Sequence, residues 1–332
     1  MILTLVGVSR GTLEDMAARS KGTGADIMIR PPDSSPIGLS GNMPEGIVDV
    51  VRREPHIAQA TGTLVQTVTT FNTVTGIHPA EFNALSGGLR YIEGGPFKSR
   101  DDLVVDQVFA REHKLHPGST VELGHKWNVT GIVEQGKLSR TFTDITTLQD
   151  MFSAHDKVSV IWVKLDDPVN TQATIEALQK RLETYKIYSA DEIVSLFSVD
   201  NVPILKRFTQ VVVGLAVIVG FLVVFLAMYM VVLERTREIG ILKALGASPG
   251  YILSILLRET IVLALTGTVV GILITYGTRL LMGVFVPTMP QVIVPDWYPY
   301  AALIALTGSL IGAIYPGLKA ARQDAVEALA YD

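Results

Sequence analysis

Residues 208–233 read FTQVVVGLAVIVGFLVVFLAMYMVVL, an apolar run without one charged side chain. At about 1.5 Å of rise per residue, roughly 20 apolar residues cross the hydrocarbon core, so this run spans a bilayer with some tilt. The adjoining stretch, residues 234–259, reads ERTREIGILKALGASPGYILSILLRE and is charged and amphipathic. Its charges begin at Glu234 and Arg235, where a helix leaving the bilayer can hydrate them. Arg235, Arg237, Lys243 and Arg258 assign this side to the cytoplasm by the positive-inside rule. Gly240, Gly246 and Gly250 all fall in the stretch, and Gly246 followed by Ala247, Ser248 and Pro249 ends one helix and caps the next. The pattern leaves two readings open. One is an amphipathic loop lying in the headgroups. The other is a docking element that offers Arg235, Glu238 and Lys243 to a partner while Ile239, Leu242 and Leu245 face the protein.

Two more spans follow, at 260–282 and 297–318. The one charge of the first, Arg279, lies near its far end, from which a long side chain snorkels to the headgroups. Residues 283–296 hold no Lys or Arg, as suits an external loop. Trp297, Tyr298 and Tyr300 form an aromatic belt at the next entry, and Lys319 and Arg322 place the C-terminus inside. Gly267 with Gly271, and Gly308 with Gly312, have the spacing that lets helix backbones approach, and packing within the bundle is expected of them ahead of dimer contact. No span carries two ionisable residues, which argues against a proton relay.

Over all 332 residues the chain is 48% hydrophobic and 18% charged, with a mean hydropathy of +0.36, but the apolarity is uneven. Residues 10–205 read as an ordinary α/β domain outside the membrane, and residues 206–332 as a membrane domain. A net charge of -4 gives no reason to expect nucleic acid. The absence of cysteine excludes disulfides and thiolate metal sites. Within the α/β part, residues 25–32 read as a strand stopped by Pro31 and Pro32. Residues 44–53 read as a short helix, and residues 62–79 as strands half buried in a sheet, since apolar residues alternate with Thr and Gln. Residues 103–123 read as strand, helix, Pro-Gly turn and strand, and residues 127–142 as a hairpin. A helix capped by Asp144 or Thr146 follows, then a buried strand at 158–165. An amphipathic helix over 167–182 turns Ile175, Leu178 and Leu182 to one face. Residues 189–206 lead back to the membrane as a helix that Pro203 interrupts.

Candidate catalytic and metal chemistry is thin. Gly131, four residues, Gly136 and Lys137 imitate a phosphate-binding loop, but Leu138 stands where the motif needs Ser or Thr. His113, His116 and His125 lack a carboxylate or Cys at a recurrent zinc spacing, and a solvated helix end accounts for them better. No G-x-S-x-G is present. The chain is therefore expected to be no enzyme, and to bind no cofactor, no metal and no ATP itself.

ERTREIGILKALGAS directly after an apolar span resembles the first cytoplasmic loop of the MacB/FtsX-type ABC transporter permeases. PGLKAARQDAVEALAYD resembles the family's closing segment, with Ala325 where proline is usual. The order of elements in residues 10–205 resembles the family's periplasmic core domain, and residues 40–97 match the place where members add or vary a subdomain. This resemblance implies a membrane α-helical bundle of four spans, three present here, with an α/β extracytoplasmic domain between the first two. It implies a bacterial inner-membrane location and a second permease copy, as homodimer or pseudo-dimer. It also implies an ABC ATPase partner that binds ATP and meets a coupling loop of Glu234, Arg235, Arg237, Glu238, Gly240, Lys243 and Gly246. Members often work with a periplasmic adaptor and an outer-membrane channel, whereas an FtsX-like member relays ATPase action to an external cell-wall hydrolase. The resemblance also implies that residues 1–9, MILTLVGVS, are the last turns of the first span. They are too short to cross and lack a basic start and cleavage site, while a large external domain needs a preceding signal or anchor. A misassigned start codon or a truncation is expected, to be supported by an in-frame extension of roughly 15 apolar residues and opposed by a stop codon immediately upstream.

Overall fold

The computed structural model describes residues 1–34, 41–69, 72–197 and 203–322. The chain divides into two compact units, one holding residues 10–203 and 282–290, the other residues 1–9, 204–281 and 291 onward.

In chain order, the α/β unit takes in the larger part of α1 (Ile2–Lys21), then β1 (Ile27–Arg30), β2 (Met43–Pro44), α2 (Ile47–Arg52), β3 (Ile57–Thr67), β4 (Thr73–Ile77), α3 (Pro79–Ser86) and β5 (Tyr91–Gly94). It continues through β6 (Asp102–Asp106), α4 (Gln107–His113), β7 (Thr120–Glu122), β8 (Lys126–Val133), β9 (Thr141–Asp144), α5 (Ile145–Met151) and β10 (Lys157–Val158). β11 (Val160–Leu165), α6 (Thr171–Arg181), β12 (Lys186–Ser189) and α7 (Ala190–Leu196) complete it. The helix starts follow side-chain chemistry: Asp106 accepts from the Phe109 amide at 2.7 Å, Asp144 from the Thr146 amide at 2.9 Å, and Ser189 forms a capping box with Glu192.

Among the described residues one sheet has the order β12-β1-β11-β3-β4-β9-β6-β8-β5, with β7 paired to β8, and β2 pairs β10 separately. Most pairs are antiparallel; β4 with β9 and β6 with β8 are parallel. This order corrects the hairpin expected over 127–142. β6 lies between β8 and β9, so residues 134–140 cross over it and Gly136 is in no hairpin turn. The reason is in β6 itself. Leu103 and Val105 enter one buried cluster and Val104 another, and a strand apolar on both faces belongs in a sheet interior.

β3 is likewise buried on both faces from Ala60 to Val65, not half exposed as its alternation suggests. Ala60 and Leu64 join the main core with Val48 and Val51 of α2. On the other face, Thr63 Oγ1 accepts from Trp162 Nε1 at 3.1 Å and Thr61 donates to Glu81 of α3 at 3.1 Å. The threonines are buried with partners rather than solvated. β3 and β4 are central in the strand order of the large sheet. α6 buries Ile175 and Leu178 as predicted.

Trp127 of β8 is fully buried in the main core and donates to the Leu123 carbonyl at 3.4 Å. Trp127→Ala is expected to lower the stability of this unit by about 3–5 kcal/mol, read as a lower urea midpoint.

The membrane unit contains α8 (Pro203–Glu234), α9 (Thr236–Ala244), α10 (Pro249–Phe285) and α11 (Tyr298–Arg322). Among the described residues, three helical segments are long and apolar enough to cross a membrane, at Lys206–Glu234, Pro249–Phe285 and Pro295–Arg322. α8 is described from Pro203 onward, and α7 ends at Leu196. Residues 198–202 of that connection lie outside the described residues. Met228, Val232, Ile252, Leu256 and Ala313 pack α8, α10 and α11 into one cluster. Leu215, Leu222 and Leu226 of α8 stay exposed, as side chains facing lipid would be.

The four glycines of the two spaced pairs have different surroundings. A Cβ on Gly312 would lie 3.1 Å from the Phe221 carbonyl oxygen, so α11 and α8 approach closely there. At Gly267, Gly271 and Gly308 a Cβ would meet nothing within 4 Å among the described residues. Small residues close a helix pair only where both helices turn them inward, and spacing alone does not say which way they turn. A second tight approach is at Gly317, whose Cβ would lie 2.9 Å from Leu253 Cδ1.

Candidate functional site

The elbow between α8 and α10 is built from local hydrogen bonds. α8 ends at Glu234 and α9 begins at Thr236, with Arg235 between them at φ -101, ψ 15. Thr236 Oγ1 donates to the Val232 carbonyl at 2.9 Å and ties the break to the last turn of α8. At the far end, the Ala247 amide reaches the Leu242 carbonyl at 3.0 Å and the Gly246 amide reaches Lys243 at 2.9 Å. These two bonds form a Schellman stop, which needs the left-handed residue that Gly246 supplies at φ 92. Ser248 Oγ accepts from the Tyr251 amide at 3.2 Å, and Pro249 is the first residue of α10. Gly246→Ala meets no neighbour but keeps the unfavourable φ, so it is expected to destabilise the elbow by about 1 kcal/mol. Faster amide exchange at Ala247, measured against an unchanged α/β unit, checks this.

The inner face of α9 is Thr236, Ile239 and Gly240, all buried. Ile239 enters the cluster formed by α8, α10 and α11. Glu234, Arg235, Arg237 and Glu238 are exposed, Lys243 is half-buried, and Gly246 is exposed at the tip. Leu242 and Leu245 do not face the protein: both are exposed, as is Ile241. One buried stripe on a helix of this length has room for Thr236, Ile239 and Gly240, and the following turn points away. Arg235 is not an unengaged surface charge, since its guanidinium pairs with Glu259 of α10 at 3.2 Å and braces the elbow. The sequence shows no sign of that pair, because its members are on different helices. Nearby, Lys319 of α11 lies over the Tyr229 ring at 5.2 Å.

The other candidates have structural roles. Lys137 Nζ donates to the carbonyls of Ser86, at 2.5 Å, and Gly88. His113 stacks on Phe109 with centroids 4.2 Å apart, and His125 pairs with Asp101 at 2.9 Å. Residues 323–332, most of the closing segment that resembles the family, lie outside the described residues.

Among the described residues, three helices long and apolar enough to cross a membrane, with a helical elbow between the first two and an α/β domain in the same chain, define an integral membrane protein. Residues 1–181 match the model of the MacB-like periplasmic core domain, and residues 211–325 match that of the FtsX-like permease C-terminal domain. The chain belongs to the MacB/FtsX-type ABC transporter permeases, whose permease part is not the catalytic one. It is 31% identical over 288 residues to the uncharacterized ABC transporter permease YknZ of Bacillus subtilis (strain 168), covering 78% of this chain and 70% of that protein. It is 25% identical to the macrolide export ATP-binding/permease protein MacB of Agrobacterium fabrum (strain C58), covering 100% of this chain and 58% of that one. The extracellular domain of YknZ aligns with a TM-score of 0.38 at 16% identity, over 50% of this chain and 99% of that structure.

Proposed function

We propose that this permease couples ATP hydrolysis by an ABC ATPase to export or extraction of a substrate on the extracytoplasmic side of a bacterial inner membrane. The observation that carries the reading is the exposed face of the elbow. Ile241, Leu242 and Leu245 stand uncovered beside Arg237 and Glu238, while Ile239 keys α9 into the bundle. An apolar centre with a charged rim has the make-up of a protein-binding surface. A push on α9 passes into α8 and α10, whose contacts are packed and whose break at Arg235 is braced by Glu259.

In this reading the elbow and the C-terminus are cytoplasmic and the α/β unit is outside. ATP is bound by the ATPase, and this chain holds no cofactor. Two permease copies meet two ATPase sites, and Gly267, Gly271 and Gly308, where a Cβ would meet nothing among the described residues, are available to the second copy. An adaptor and an outer-membrane channel would extend the route. The match over residues 1–181 favours the MacB-like branch over an FtsX-like regulator of a cell-wall hydrolase. Co-purification of the membrane-extracted chain with an ABC ATPase tests the reading, and failure to recover any ATPase counts against it.

A further inference from the structure

One side chain in the α/β unit gathers segments that are far apart in sequence. Arg140, just before β9, has a side chain only 13% exposed. Its Nη2 donates to Asp15 of α1 at 2.9 Å and to the Thr288 carbonyl at 3.3 Å, and its Nη1 donates to Asp106 at 3.1 Å. Asp106 is at the same time the N-cap of α4. At the other end of α4, Glu112 accepts from the Thr288 amide at 2.9 Å. α1 is fastened a second time, since the Leu138 amide donates to the Arg19 carbonyl at 2.8 Å and Arg19 donates back to the Leu138 carbonyl at 3.3 Å. Gly22 closes the contact: a Cβ there would lie 1.7 Å from the Gly136 carbonyl oxygen. Burial pushes the Asp106 carboxyl up, while the Phe109 amide and the Arg140 guanidinium oppose that shift.

The connectivity gives this cluster its meaning. α1 begins in the membrane unit, and residues 282–290 follow directly on the part of α10 that belongs to it. Two covalent routes out of the membrane unit therefore end on one guanidinium. Arginine suits the position because its planar fork reaches several acceptors at once and keeps its charge when buried.

We propose that Arg140 is a tie that fastens α1 and the segment around Thr288 to α4, so that movement arriving along either route shifts α4. The proposal rests on the coupling function above. The test is hydrogen exchange on the full chain with its ATPase, comparing the nucleotide-free complex with one trapped on ATP. In the parent protein both the elbow, residues 236–250, and α4, residues 107–113, are expected to change protection. In Arg140→Gln the elbow still responds, and the α4 response falls roughly ten-fold. Glu112→Ala leaves the Arg140 pairs in place and removes only the second hold on Thr288. It is expected to lose a smaller share of the α4 response, and it carries the test if Arg140→Gln does not fold. An unchanged α4 response in the folded variants, with the elbow responding, overturns the tie alone. If neither segment responds in the parent protein, the coupling function falls and the tie falls with it.

Discussion

In intact cells a membrane-impermeant maleimide is expected to modify Val169→Cys and to leave Leu245→Cys untouched until the bilayer is opened. The natural chain has no cysteine, so each variant presents one thiol. Val169 is 86% exposed and Leu245 81%, so a difference between them reports which side of the membrane each occupies, not burial. The expectation comes from charge. Arg235, Arg237, Lys243 and Arg258 follow α8 or open α10, against Lys206 and Arg207 at the other end of α8. Residues 283–296 add no positive charge, whereas Lys319 and Arg322 close α11. Such an excess near the ends of spans sets orientation. The contrast in labelling rate should be on the order of ten-fold or more, because a bilayer crossed at a fixed orientation hides one face from the reagent. Modification of Leu245→Cys in unopened cells would put the elbow outside, where no ATP-driven partner could reach it.

Leu245→Asp is expected to abolish co-purification with the ATPase while leaving thermal unfolding of the chain unchanged. The two readouts separate because Leu245 touches little within the chain, and surface substitutions of this kind usually alter stability by less than about 0.5 kcal/mol. A large apolar side chain at the centre of an interface commonly contributes about 2 kcal/mol when truncated, and a buried unpaired carboxylate adds to the loss. That corresponds to a fall in affinity of roughly 30-fold or more. The Schellman stop at Gly246 stays intact, since it uses backbone groups alone. Equal ATPase recovery with Leu245→Asp would show that the apolar tip is not the dock.

The elbow was legible to an uneven degree. Gly246, Ser248 and Pro249 announce its geometry, because a left-handed stop and an N-cap are local requirements met by particular residues. Its orientation in the bundle was not legible. Leu242 and Leu245 are apolar and looked inward-facing, yet a protein-binding surface is apolar too, and composition does not separate the two. Arg235 reads as a contact residue, and the structure adds its pair with Glu259 on another helix. The glycine pairs show the same limit: equal spacing yields one close approach, at Gly312, and three open positions.

By itself the sequence determined the three spans, the α/β character of residues 10–205, the start of several helices and the family. Each depends on run length, periodicity or capping chemistry, which act over a few residues. Only the tertiary structure decided that β6 separates β8 from β9, that β3 is covered on both faces, and that Asp15, Asp106, Arg140 and Thr288 meet. Strand order and buried ion clusters come from competition among distant segments for the same neighbours, and the winner is settled by how much apolar surface and how many polar groups each arrangement satisfies together.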